Sequence, residues 1–329
     1  MVIYTPPEIP QSIPLVDLAG TFAPGSDAEA AAAWEIHKAA RETGFFYVKN
    51  HGVSGDAVAA AFAATRRYFA QPLDTKLQMY LRKWPGMLRG YEPMLFQQLD
   101  DGSPRDLKEA FYAARHLDAD HPLVREKLPN HGPNQWPDNL PGFREAIEAY
   151  YEPALDLGRH LMRLIALSLQ LDRAFFDEAF FEPCGTLRLL HYPPHPADAA
   201  PNQLGAGAHT DYGAITLLAQ DDNGGLEVEN AAGQWLRADP IPGTIVINLG
   251  DMVKRWTNDL YHSNMHRVLN NRTNSDRYSL PLFFNPAFKT HVECVPTCAP
   301  AAGPPKYKPC TAGEHVAERI RQSYEKAAA

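Results

Sequence analysis

Between residues 186 and 295 the chain breaks into short runs rich in β-branched and aromatic residues, at 186–192, 205–211, 214–220, 226–229, 235–237, 244–249, 262–270, 277–284 and 291–295. Turn signals separate them every ~8–12 residues, a rhythm that closes into a sandwich or barrel. The half before it reads differently. Residues 13–18 suit a short strand, 27–43 a helix capped by Ser26 or Asp27 and stopped by Gly44, 45–48 a strand, and 54–69 a second helix opened by Ser54, with a shorter one after Pro72. Phe143, Ile147, Leu155, Leu161, Leu164 and Leu171 keep helical spacing, and Pro153 among them predicts a kink or a break. Residues 83–102 read as loop with a hairpin, and 312–326 as a closing amphipathic helix. The fold class is therefore α+β with a β-rich core: a mostly helical region with a few strands over 1–180, the core over 181–295, and a loop and helix over 296–329, packed as one unit.

Inside the core lies Ala208-His209-Thr210-Asp211-Tyr212-Gly213. On an extended strand alternate side chains share a face, so His209 and Asp211 point the same way and can grip one cation, with His266 closing the triangle. Two histidines and a carboxylate on one side of a metal leave the opposite positions open, as in a non-haem iron(II) site for dioxygen. Zinc fits the same donors, but a structural zinc takes four protein ligands, and a hydrolytic one gives no reason for an arginine pocket nearby. Arg277 and Ser279 lie eleven and thirteen residues beyond His266, on one strand face with Pro281 and Phe283. A guanidinium fork binds a carboxylate through two parallel hydrogen bonds and a serine hydroxyl adds a third, which makes a receptor for one end of a dicarboxylate. An internal Asp or Glu is the other anion such an arginine could take. None of the remaining histidines is assigned to the metal.

His-x-Asp, His266-Arg267-Val268 and Arg-x-Ser together resemble the iron(II)- and 2-oxoglutarate-dependent dioxygenases, in their isopenicillin N synthase-like branch. Further matching stretches run in family order: Ile13 to Leu18, Gly44 to Val53, Leu107-Lys108-Glu109-Ala110-Phe111, Leu187 to Pro194, Gln220 to Leu226 and Asn248 to Met252. The resemblance implies a double-stranded β-helix, or jelly roll, buttressed by the helical N-terminal half. It also implies Fe(II), 2-oxoglutarate as cosubstrate and O2, with hydroxylation, desaturation or cyclisation of a small organic molecule and release of succinate and CO2. His209, Asp211 and His266 are then the catalytic metal ligands, and Arg277, Ser279 and Tyr192 the cosubstrate contacts. The family commonly has Asn-Tyr-Tyr-Pro where this chain has Leu190-His191-Tyr192-Pro193, so one expected hydrogen bond to the cosubstrate is missing. Arg89, Phe111 and Arg188 are candidate substrate contacts, against a solvated loop charge, a core ring and a surface salt bridge respectively. Leu218, Gln220, Val268 and Phe283 join them by parity. Rival readings are a 2-oxoglutarate-independent oxidase like isopenicillin N synthase or aminocyclopropane carboxylate (ACC) oxidase, a bacterial-type ethylene-forming enzyme, and a non-catalytic jelly-roll binding protein.

A net charge of -8 argues against nucleic acid or an anionic membrane as partner, so a small molecule is the expected one. The proline-rich start carries no signal-peptide pattern and no apolar run approaches ~20 residues, so a cytoplasmic protein with four reduced thiols is expected. Cys294, Cys298 and Cys310 lack a fourth zinc ligand and read as loop cysteines.

Overall fold

Ser26 accepts the amide of Glu29 at 3.1 Å and Ser54 that of Asp56 at 3.2 Å, so both N-terminal helices start where their caps predict. The computed structural model describes residues 4–6, 9–100, 102–197, 199–200, 202–269 and 274–326. Its helices are α1 (Asp27–Glu42), α2 (Gly55–Phe69), α3 (Leu73–Leu77), α4 (Pro122–Arg125), α5 (Phe143–Ser168), α6 (Asp251–Trp256) and α7 (Ala312–Lys326). Its principal strands are β1 (Leu15–Asp17), β2 (Phe45–Lys49), β3 (Gly90–Glu92), β4 (Glu109–Ala114), β5 (Cys184–Tyr192), β6 (Ala206–His209), β7 (Ile215–Gln220), β8 (Leu226–Glu229), β9 (Trp235–Arg237), β10 (Ile245–Leu249), β11 (His266–Val268) and β12 (Arg277–Asn285).

An eight-stranded sheet runs β1-β2-β10-β7-β12-β5-β4-β3 and faces a four-stranded one, β6-β11-β8-β9. This is the jelly roll expected. The N-terminal region is more than a buttress, because β1 to β4 all come from it and complete the large sheet at both edges. The described residues of 83–102 form no local hairpin; β3 pairs instead with β4. Pro153 does not break its helix: residues 143–168 run as one element, with Tyr150, Ala154, Leu157 and Leu161 buried along one stripe. Proline removes one backbone bond there, and burial of that stripe outweighs the loss. The 262–270 run shrinks to β11, and its final residue lies outside the described residues.

Side chains alternate across the large sheet. Phe46, Leu217, Ile247, Leu282, Leu189 and Phe111 face outward onto α1, α2 and α5 in the main core. Phe45, Val246, Leu190, Tyr192, Ala110 and Tyr112 face inward toward Val228, Val268 and Leu226 of the small sheet. The inner layer is where the polar residues of the site are placed. No helix among the described residues is long and apolar enough to cross a membrane, and Cys184, Cys294, Cys298 and Cys310 are all free thiols.

Candidate metal and cosubstrate site

β6 and β11 are antiparallel neighbours with His209 opposite His266. That pairing sets the two rings 4.3 Å apart between centroids. Strand β6 ends at His209, so Asp211 sits just beyond it and not on the next pleat, yet its Oδ1 lies 3.8 Å from Nε2 of each histidine. One donor atom from each residue falls within 4.8 Å of the others, a spacing that one cation can occupy. The orientation of each donor is set from behind. His209 Nδ1 meets Gly207 O at 2.7 Å and His266 Nδ1 faces Asn264 O at 3.3 Å, which turns both Nε2 atoms toward Asp211.

Burial, together with the neighbouring His266, pushes the His209 imidazole down to about 4, so near neutral pH the ring is uncharged, the form able to ligate a cation. For Asp211, burial acts to raise the carboxyl. The two histidines and the hydrogen bonds from Thr216 and Asn248 outweigh it and hold the group below the ordinary carboxylate range. Thr216 Oγ1 and Asn248 Nδ2 both donate to Asp211 Oδ2, at 2.5 and 2.8 Å, leaving Oδ1 for the cation. Neither residue was singled out by sequence reasoning. Asn248 carried a signal, being the one polar side chain in the apolar run of β10, and Thr216 shares parity with Leu218 and Gln220. Phe45 adds an apolar wall, its ring 5.3 Å from that of His266.

The loop bearing Asp211 is locked by close backbone approach. Asp251 N donates to Asp211 O at 2.8 Å, and a Cβ at Gly250 would strike the carbonyls of Gly213 and Asp211. Gly213 and Gly250 therefore serve proximity, whereas Gly224 and Gly225, at φ +68° and +95°, adopt the left-handed region. From the C-terminal helix, His315 Nε2 meets Tyr212 O at 2.9 Å.

Arg277, opposite Tyr192 in the β12–β5 ladder, is 2% exposed. Its Nε donates to Gly224 O, its guanidinium lies 4.7 Å over the Tyr192 ring, and Nη1 and Nη2 are buried with no partner among the described residues. No carboxylate of those residues neutralises it, and a buried guanidinium with two unmet donors is costly unless a ligand supplies the anion. Ser279 follows on the same face, paired with Gln220 and Leu190.

The proposed substrate contacts divide. Phe111 is corrected: it faces the helices, with ring centroids 4.7 Å from Tyr68 and 5.2 Å from Phe143. Its pairing with Leu189 puts it on the outer face, and the inner neighbour is Tyr112. Phe111→Ala is accordingly expected to cost about 3–5 kcal/mol of stability by cavity formation, measured by denaturant unfolding, with the affinity for 2-oxoglutarate unchanged. Arg89 is corrected as well. It is neither a solvated charge nor open to a ligand through its amines, which bond Leu88 O, Asn130 Oδ1 and O, and Arg115 O, tying two loops together. Arg188 does face inward, in a buried ion pair with Glu92 and not a surface one, with Gln97 Oε1 at 2.9 Å and its guanidinium 4.9 Å from the Tyr112 ring. Its Nε is buried without a partner among the described residues. Phe283 stands level with Thr216, and Leu218 one row on; Gln220 and Val268 lie nearer the Arg277 end.

A jelly roll that brings two imidazoles, one carboxylate and an unpaired inward arginine together belongs to the oxygenases that use a metal and a 2-oxo acid. Comparison with known proteins agrees. Residues 183–286 match the 2OG-Fe(II) oxygenase superfamily, and residues 13–139 the N-terminal region described as that of non-haem dioxygenases in morphine synthesis. The 2-oxoglutarate-Fe(II) type oxidoreductase hxnY of Emericella nidulans is 36% identical over 325 residues, covering 97% of this chain and 93% of the relative. A full-length Neurospora crassa protein crystallised in complex with alpha-ketoglutarate superimposes with a TM-score of 0.84 at 31% identity, covering 95% of this chain and 96% of that one. A second crystal structure of the same Neurospora crassa protein, holding alpha-ketoglutarate and thymine, gives 0.83 at 32% identity, over 95% and 97%. The chain belongs to the Fe(II)/2-oxoglutarate-dependent dioxygenases, and is an oxidoreductase requiring Fe(II), 2-oxoglutarate and O2.

Proposed function

We propose that His209, Asp211 and His266 hold the iron, that Arg277, Ser279 and Tyr192 hold the far carboxylate of 2-oxoglutarate, and that the substrate is a small uncharged planar molecule docked beside Arg188. The observation that carries the first part is the pair of partnerless Arg277 amines inside the barrel. Bound there, the metal and cosubstrate supply oxidative decarboxylation coupled to oxidation of a C–H bond. The chain's own share is orientation and exclusion of water: Gly224 O aims the guanidinium, Tyr192 backs it, and Leu218 and Val268 pack in the inner apolar layer, with Phe283 level with Thr216.

The substrate reading rests on charge. Arg188 with Glu92 and Lys108 with Asp106 form two ion pairs inside the barrel, and all four residues are buried. Their charges cancel, so an added anion has no uncompensated cation to meet, whereas the unpartnered Arg188 Nε–H can donate to a carbonyl. Thymine, found in the second Neurospora crassa complex, is such an uncharged planar ring bearing carbonyl groups. Residues 1–180, 181–295 and 296–329 act as one unit in this reading, in the isopenicillin N synthase-like branch and in the cytoplasm.

A panel of small molecules scored by succinate release tests it. Neutral carbonyl-bearing rings are expected to stimulate turnover, and preference for carboxylates of the same size would overturn the substrate class. Arg188→Lys, which keeps the charge for Glu92 but removes the planar fork, is expected to raise KM for the substrate roughly tenfold and leave KM for 2-oxoglutarate unchanged.

A further inference from the structure

The strand that carries Arg277 is fastened on its outer face by a side chain the family resemblance did not predict. His191 stands on β5 next to Tyr192, and alternation sends the two in opposite directions: Tyr192 inward beneath the guanidinium, His191 outward, opposite Tyr278. The rings of His191 and Tyr278 stack at 5.0 Å and 16°, with Phe69 of α2 at 5.4 Å on His191. His191 Nε2 lies 2.9 Å from Asp276 Oδ1, the residue just before Arg277, and Nδ1 lies 2.7 Å from Glu109 Oε1. Glu109 is buried and fixed in turn by Lys76 Nζ of α3, at 2.9 and 2.7 Å, and by the Tyr91 hydroxyl. Arg66 caps the cluster, 5.5 Å over the Tyr278 ring.

On the other side, the turn after β7 holds the same segment. Asn223 Nδ2 donates to Asp276 O at 2.8 Å, Asp221 Oδ2 takes the Tyr278 amide at 2.6 Å, and Gly224 O receives Arg277 Nε. The start of β12 is thus gripped from both neighbouring strands, and the imidazole is the grip from β5. Each imidazole nitrogen meets a carboxylate oxygen, one on Glu109 and one on Asp276, so the ring bridges the two. We infer that His191 is a positioning residue for the cosubstrate: by tying Asp276 to the Glu109–Lys76 network it fixes Arg277 where the far carboxylate of 2-oxoglutarate binds. This rests on the Arg277 assignment above.

The test uses the full chain loaded with Mn(II) in the absence of oxygen, and measures Kd by calorimetry for 2-oxoglutarate and for 2-oxovalerate, which lacks the far carboxylate. His191→Phe keeps an aromatic ring against Tyr278 and removes both polar contacts; Asp276→Ala removes the same link from its solvent-facing end. Each is expected to weaken 2-oxoglutarate roughly tenfold, the scale of one hydrogen bond to a charged partner, and to leave 2-oxovalerate unaffected. Equal weakening of both acids, or of neither, overturns the inference, the first by reducing His191 to a stabiliser of the fold. If His191→Phe does not fold, Asp276→Ala decides alone, an unchanged 2-oxoglutarate Kd counting against it. Wild-type protein that bound the two acids equally would remove the Arg277 assignment along with the inference.

Discussion

Asp211→Ala is expected to abolish 2-oxoglutarate turnover. The substitution takes away the only anionic member of the triad and leaves Thr216 Oγ1 and Asn248 Nδ2, now donating at 2.5 and 2.8 Å, facing an empty buried space. Loss of an outer hydrogen-bond partner typically costs a metal site about 10–100-fold in affinity or activity, and loss of the ligand itself is expected to exceed that. Two measurements check it: Fe(II) or Co(II) binding by calorimetry, which should weaken in step, and succinate formation in the presence of excess iron. Turnover retained with iron would refute the ligand assignment. A protein that bound metal normally and lost only turnover would move Asp211 from ligand to some other role.

Arg277→Ala is expected to act on a different quantity. The guanidinium presents two buried amines to one carboxylate, and hydrogen bonds to charged partners contribute about 1.5–3 kcal/mol each, so the 2-oxoglutarate KM should rise by roughly two orders of magnitude or more. Turnover at saturating cosubstrate should change far less, because the far carboxylate is remote from the bonds that break. Arg277→Lys, a point charge without the fork, should fall between the two. An unchanged cosubstrate requirement would count against the pocket. Together with the Asp211 variant this separates the two ends of the cosubstrate site, one failing in metal affinity and the other in KM.

Several elements of this architecture were legible without coordinates because they are local. Ser26 and Ser54 as caps, the 312–326 helix and most core strands depend on residues a few positions apart. The shared direction of His209 and Asp211 survived even though the strand stops at His209, the two side chains still meeting at 3.8 Å. The inward direction of Arg277 and Ser279 needed only strand parity, and no side chain among the described residues meets the Arg277 amines.

What the local pattern did not hold was which face of a strand turns inward when both faces are buried. β4 is buried at every position from Glu109 to Ala114, so no alternation marks its sides, and only the ladder with β5 sends Phe111 to the helices and Tyr112 to the site. The same ladder converts Arg188 from a surface charge into a buried partner of Glu92, 96 residues earlier in the chain. Arg89 gained its role from Asn130 and Arg115, loops that nothing in the sequence ties to it. The sequence by itself therefore determined the fold class, through the rhythm of its short strands, and put forward the candidate triad and anion clamp, through the His-x-Asp and Arg-x-Ser spacings and the resemblance that joined His266 to them. The tertiary structure alone decided the supports behind Asp211, the charge balance beside Arg188 and the His191 link, because each joins residues whose proximity is created by strand pairing across the barrel.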